Sequence, residues 1–203
     1  FTVVGHIMLA IAEQDKSMKK VIVLLLMLNG GYLMVDGGWI YLKANLAQQL
    51  LEYSWQQMLV TGHSAKPWPW ADTWGVARLT VPKQNIDQVV LAGDSGRTLA
   101  FGPGHTSGSA MPGEYGSVVI SGHRDTHFNF LKQLHKGSDI HLQTIRGKHI
   151  YRVRDIRLLD INKHKLISDP DSKLLHLVTC FPFNSVVSGG PLRYVVDAEL
   201  IEI

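Results

Sequence analysis

The chain has 203 residues, enough for one ordinary domain with accessory segments. Its formal charge is only +3, and its 20 lysines and arginines are scattered, with no basic run interleaved with aromatics, which argues against nucleic-acid binding. The single cysteine, Cys180, excludes an internal disulfide framework and any zinc site built from several thiolates.

Residues 1–20 form an N-terminal flank of mixed character, within which Met18-Lys19-Lys20 reads as a natural start. The run Val21-Ile22-Val23-Leu24-Leu25-Leu26-Met27-Leu28 follows at once, and Val21 to Leu42 are 22 residues with a single charge, Asp36. At about 1.5 Å per residue this length just crosses a hydrocarbon core of about 30 Å, so residues 21–42 are expected to form a transmembrane helix. A central Asp costs about 2.5–3.5 kcal/mol on insertion, against about 0.3–0.6 returned by each Leu, Ile or Val. Asp36 lies towards the far end, where that cost falls and where Trp39 and Tyr41 supply an interfacial belt. No small-x-small cleavage site follows closely, which weighs against a signal peptide. The alternative is a buried helix of a soluble protein. Lys16, Lys19 and Lys20 before the span favour an N-terminus inside and the remainder of the chain outside.

Residues 43–66 read as a helical stalk and linker. Leu46, Leu50, Leu51, Tyr53, Trp55 and Met58 recur at helical spacing up to Val60, and the stretch from Gly62 to Trp70, with Pro67 and Pro69, breaks the pattern. The domain boundary is placed there, with the main domain at 67–203. From Thr73 the texture is β. Strands are expected at 76–81, 89–92, 117–121, 139–144, 149–154, 174–179 and 193–203, with a turn at 93–96 and a hairpin turn at 145–148. Only 128–135 looks helical. Many short, regularly spaced strands indicate a mainly β fold, a barrel or a sandwich.

Three residues carry chemistry. Cys180 ends the apolar run His176-Leu177-Val178-Thr179, His123 follows a strand in Ser121-Gly122-His123-Arg124-Asp125, and Arg193 opens Arg193-Tyr194-Val195-Val196. A thiolate nucleophile, an imidazole to move the proton and a guanidinium to bind the developing charge are the parts of a thiol acyl-transfer site.

Other signals are weaker. His123 and His127 are four apart, but no Glu follows the first, so no zinc-peptidase motif is present. His123-Arg124-Asp125 lacks the partners of a kinase catalytic loop, and no G-x-S-x-G elbow occurs. Asp169 and Asp171 are too few for a calcium loop and read as a solvated turn. Asp125 and His127 read as satisfied loop groups. His63, His105, His135, His141, His149, His164 and His176 read as solvated or hydrogen-bonded. No metal or cofactor is expected.

The region after Pro67 resembles the sortases, membrane-anchored cysteine transpeptidases, through Ser121-Gly122-His123-Arg124-Asp125, Leu177-Val178-Thr179-Cys180 and Arg193. His176 stands where the family pattern Thr-Leu-x-Thr-Cys has its first Thr. Arg193 follows Cys180 by 13 positions, a spacing that suits two strands joined by a loop containing Gly189-Gly190-Pro191. The Leu99–His105 and Phe181-Pro182-Phe183 segments further resemble a subgroup from Gram-negative marine bacteria. The resemblance implies a closed sortase β-barrel outside the cell inner membrane. It also implies that Cys180 attacks a carbonyl in a C-terminal sorting signal and forms a thioester. His123 would protonate the departing amine and deprotonate the incoming one, and Arg193 would hold the substrate and stabilise the oxyanion. The partners implied are a substrate protein bearing a sorting signal, an amine acceptor and the membrane. Slow turnover is expected, because a thiol buried at a strand end lacks the helix N-terminus that activates many cysteines. Two alternatives use the same residues differently: a thiol peptidase that releases the acyl group to water, and a catalytically silent, membrane-tethered β-domain that binds a partner protein.

Overall fold

The computed structural model describes residues 2–163, 170–185 and 189–202 and divides into two units, Phe1–Leu46 and Ala47–Ile203. Helix α1 runs from Thr2 to Thr61. Within the first unit its apolar side chains are bare, with Leu26, Met27, Leu33, Met34 and Ile40 all exposed. A surface of that kind is stable only against another apolar phase. Among the described residues, Met18–Thr61 is the helical stretch long and apolar enough to cross a membrane, which fits a single-pass anchor.

In the second unit the last turns of α1 bury Ala47, Leu51, Ser54, Trp55 and Met58, a stripe at three- and four-residue spacing. Eight strands follow: β1 (Gly75–Val81), β2 (Ile86–Ala92), β3 (Gly104–His105), β4 (Gly116–Ser121), β5 (Asp139–Thr144), β6 (Gly147–Asp160), β7 (Lys173–Cys180) and β8 (Leu192–Glu202). They close into a barrel in the order β1-β2-β3-β4-β7-β8-β6-β5. Closure follows from period-two alternation: β1 buries Ala77, Leu79 and Val81, β5 buries Ile140 and Leu142, and β7 buries Leu175 and Leu177. With Val118, Ile120, Phe128, Tyr151 and Val196 these residues form one core. Each fully buried aliphatic or Phe side chain contributes about 1.5–3 kcal/mol.

Six of the eight strand pairs are antiparallel, and two, β2 with β3 and β4 with β7, are parallel. The expected hairpin pairs Thr144 with Gly147 around Ile145-Arg146, and β6 then runs well past the expected 149–154. The short helix expected at 128–135 is a 3₁₀ turn over Asn129–Gln133 that ends where Leu134 becomes extended. Gly96, expected in a turn, starts the one-turn helix α2 (Gly96–Leu99), whose Ser95 cap accepts from the Thr98 amide at 3.2 Å. Strand β3 has no counterpart in the expected set. A Cβ at Gly104 would stand 2.2 Å from the Gly93 carbonyl oxygen, so this seam between β2 and β4 requires glycine.

Candidate active site

The parallel pairing of β4 with β7 brings two strand ends to the same rim of the barrel. Its register runs from Gly116 opposite Lys173 to Ser121 opposite Val178. Beyond the last pair, the Gly122 amide donates to the Val178 carbonyl at 3.1 Å, and the buried Thr179 hydroxyl donates to the Gly122 carbonyl at 2.7 Å. The next residue on β4's side is His123 and the next on β7's side is Cys180, so the register sets the two side by side. Gly122 is required here, because a Cβ would meet the Phe128 ring at 2.7 Å. The Phe128 amide returns to the His123 carbonyl at 2.9 Å and closes the loop.

On β7's other side, β8 runs antiparallel with Cys180 directly opposite Arg193. Arg193 is half-buried, and its Nη1 donates to the carbonyls of Gly190 at 2.6 Å and Leu192 at 3.1 Å, which holds the guanidinium on the β7–β8 connection. Arg124 Nη2 donates to the Ser185 carbonyl at 2.7 Å, tying the loop after β4 to the loop after β7. Phe181, Phe183 and Tyr194 pack beside this junction, with Phe183 and Tyr194 ring centroids 5.1 Å apart. All three residues singled out by sequence therefore meet at one rim. His123 is exposed, and Cys180 is half-buried, not buried as expected, because the strand ends at the rim and not within the wall.

The other histidines follow their expectations with one exception. His127 is half-buried, its carbonyl accepts from Gln88 at 3.0 Å, and burial together with the charge of nearby His123 pushes its imidazole below the usual range against an opposing pull from Asp125. His176 is hydrogen-bonded, as expected, and buried, with its Nδ1 2.6 Å from Asp197 Oδ1. Arg157 Nε donates to the other Asp197 oxygen at 2.6 Å. Burial pushes the Asp197 carboxyl up, but the His176 and Arg157 hydrogen bonds outweigh it and leave the group below its ordinary range. His149 departs from its expectation: it is buried, and neither ring nitrogen has a hydrogen-bond partner among the described residues, with the segment at Gly113 packed over the ring. His105, His63 and His135 are hydrogen-bonded as expected. His164 and Asp169 lie outside the described residues. A cleft of about 220 Å³ lined by Met58, Trp74, Met111 and Ile145 sits at the opposite end of the barrel, where β1 begins and β5 ends.

Sequence reasoning missed Asp197 and Arg157. The signal available was alternation: Arg193, Val195 and Asp197 share one face of β8, as Cys180, Val178 and His176 do on β7. Only the register of the pairing reveals that the two rows adjoin.

Comparison with known proteins agrees with this fold. A sortase domain model matches residues 79–201. Sortase D of Bacillus subtilis (strain 168) is 34% identical over 124 residues, which cover 61% of this chain and 62% of that protein, so the match spans less than two thirds of the curated relative. A Clostridium perfringens sortase D5 transpeptidase superposes with a TM-score of 0.61 at 24% identity, over 78% of this chain and 99% of that one. Sortase A from Corynebacterium diphtheriae does so with a TM-score of 0.59 at 26% identity, over 75% and 68% respectively. With the family model covering more than half of its length and a closed eight-stranded barrel beneath it, this chain belongs to the sortase family.

Proposed function

We propose that this chain is a membrane-anchored cysteine transpeptidase that cleaves a C-terminal sorting signal and transfers its acyl part to an amine. The observation that carries this reading is the alignment of three strand ends: Cys180 opposite Arg193, with His123 at the end of the neighbouring parallel strand. The Cys180 sulfur attacks the scissile carbonyl, and the new C–S bond forms as the C–N bond breaks. His123 gives its proton to the departing amine. In the second half the acceptor amine attacks the thioester, the C–S bond breaks as the new C–N bond forms, His123 takes up the amine proton, and Cys180 leaves as the thiolate, which restores the pair that began the cycle. Dividing one amide exchange into two acyl transfers lowers each barrier. Arg193 binds the charge that develops on the carbonyl oxygen.

Residues 21–42 are assigned to the membrane span, 43–66 to the stalk and linker, and 67–203 to the catalytic domain. The lysines before the span favour an extracytoplasmic catalytic domain on the cell inner membrane. A half-buried Cys180 supports the catalytic reading over a silent binding domain, for which a buried, inert thiol is expected.

The test is intact mass of the full chain in detergent after exposure to a pool of sorting-signal-like peptides, with and without an added amine. A hydroxylamine-labile, peptide-sized adduct that is lost in Cys180→Ala is the expected result. Its discharge into an amide identifies a transpeptidase, and discharge only into free acid identifies a peptidase. No adduct, together with Cys180 resistant to alkylation, overturns the enzyme reading.

A further inference from the structure

The end of the barrel opposite the reactive rim is covered by a short segment, residues 111–115, that leads into β4. Beneath it lies His149. The alternation of β6 turns His149, Tyr151 and Val153 inward, and His149 is the first of the three, 4% exposed. Gly113 is packed on the imidazole. Its φ is +88°, and a Cβ there would stand 2.2 Å from the ring's Cε1, so only glycine lets the segment close this far. The Gly113 amide donates to the buried Tyr151 hydroxyl at 2.9 Å, which fastens the segment over the strand. On either side it is anchored, by the Ala110 amide to the Ser117 carbonyl at 3.0 Å and the Gly116 amide to the Ser172 carbonyl at 2.6 Å.

The fold leaves this imidazole unanswered. Neither Nδ1 nor Nε2 has a hydrogen-bond partner among the described residues. A neutral ring has one donor and one acceptor, and leaving them unpaired in the interior costs stability. A protonated ring has two donors and a charge, and its surroundings are worse suited still. Glu114, the acid of the covering segment, is held by Arg146 on the hairpin and accepts from the Met111 amide at 3.3 Å. Lys173 on β7, whose ammonium lies 4.6 Å from the centre of the Tyr115 ring, adds a positive charge. Tyr151, on the same strand as His149, is a phenol that burial pushes further above its ordinary range. Leu142 and Thr144 from β5 and Leu200 from β8 are uncharged. Burial and the Lys173 charge therefore both disfavour the imidazolium.

Water is the partner that a charged ring requires, and residues 111–115 separate the two. Lifting the segment breaks the Gly113–Tyr151 hydrogen bond and the Glu114–Arg146 pair, whereas withdrawing His149 on its strand breaks the ladders to β5 and β8 together. The segment is the part that yields. It also supplies Met111 and Pro112 to the cleft lined by Met58, Trp74 and Ile145, so its departure opens that cleft.

We propose that residues 111–115 form an acid-released latch: protonation of His149 expels the segment from the barrel end and opens the apolar cleft beside it. Nothing in this depends on acyl transfer. The closed state holds the ring neutral, and the open state lets it titrate at its ordinary value of about 6.5, so the open fraction grows as pH falls through that value. Between about pH 7.5 and about pH 5.5 the ratio of open to closed rises about tenfold while the closed ring stays neutral.

The experiment is hydrogen–deuterium exchange of the full chain in detergent at those two pH values, with rates corrected for the intrinsic pH dependence of amide exchange. The expected result is about a tenfold loss of protection over residues 111–116 in the wild type and none in His149→Leu or His149→Phe. The opening is local, so about 1 M urea should speed exchange of β5 and leave the rate of the segment unchanged. Should both variants fail to fold, the wild type decides alone: by NMR the His149 ring and the amides of the segment must titrate with one midpoint. A segment whose protection is flat with pH overturns the proposal, as does a pH response that survives in both variants, which assigns it to Glu114. Exchange of the segment only together with β5, or a ring that titrates while the segment stays closed, overturns it equally.

Discussion

Thr179→Val tests whether one buried hydroxyl aligns the two halves of the reactive site. The substitution keeps the volume of the side chain, so no cavity opens, and what disappears is the 2.7 Å hydrogen bond from Oγ1 to the Gly122 carbonyl. Thr179 is 2% exposed and Gly122 is buried, so water does not replace the lost donor. The cost is therefore that of an unsatisfied buried acceptor, about 1–3 kcal/mol. For a domain of this size that lowers Tm by about 2–12 °C, at about 2–4 °C per kcal/mol. The kinetic consequence is larger than the thermodynamic one. This bond joins the residue before His123 to the residue before Cys180, and a relaxation of about 1 Å between reacting groups costs about a hundredfold in rate. Peptide acylation of Cys180 should fall about tenfold to a hundredfold, whereas alkylation by iodoacetamide, which needs no His123 or Arg193, should stay within about twofold. Thr179→Ser, which retains the hydroxyl, should recover most of both losses. Urea unfolding followed by tryptophan fluorescence gives the first quantity and intact mass the second. A Thr179→Val chain within about 0.5 kcal/mol of wild type, acylating at an unchanged rate, refutes the reasoning.

Asp197→Asn should cost about 2–3 kcal/mol at pH 7, since it weakens charged hydrogen bonds from His176 and from Arg157, a side chain exposed enough for water to recover part of the loss. Because the folded carboxyl lies below its ordinary value, the wild-type advantage is present above about pH 4 and is lost as pH falls through the folded value, so urea midpoints of the two proteins should converge in acid. His149 behaves in the opposite chemical sense but with the same acid slope: burial, reinforced by Lys173, disfavours its charged form, so stability declines as pH falls from about 6.5 through the depressed folded value. His149→Leu should flatten the fall in midpoint between pH 7 and pH 5, leaving the share due to His127. Gly104→Ala should lower stability by about 1–3 kcal/mol, because the new Cβ meets backbone and not a movable side chain, and a thermal melt reads it directly.

The strands with strong alternation are legible in the residue pattern alone. Residues 117–121, 139–144 and 174–179 each place aliphatics on every second position, and all three are barrel wall. Strand β3 is not legible, since two residues carry no period and Gly104 has no side chain to read; its existence depends on Leu91 and Ser121 arriving on either side. The 3₁₀ turn at Asn129–Gln133 reads as an ordinary short helix because Phe130 and Leu131 are apolar in either geometry. In the site, Cys180, His123 and Arg193 stand out by residue type and context. His176 does not, because an isolated imidazole says nothing until its partner is known, and Asp197 lies 21 residues further along. Buried pairs across strands belong to register, which residue order alone does not specify.

The parallel arrangement of β4 and β7 has a consequence for folding. Parallel neighbours cannot be joined by a tight turn, and here the hydrogen bond from Thr179 to Gly122 closes a separation of 57 residues that contains both β5 and β6. Contacts of such sequence separation form late and together. Cys180 and His123 therefore become neighbours only once the barrel has closed, and a folding fragment that lacks β7 or the β4 exit holds at most one of them. On the transpeptidase reading proposed above, a freshly made chain stays chemically quiet until its wall is complete, and acylation of Cys180 by a peptide then reports, on a single atom, that the whole barrel has formed.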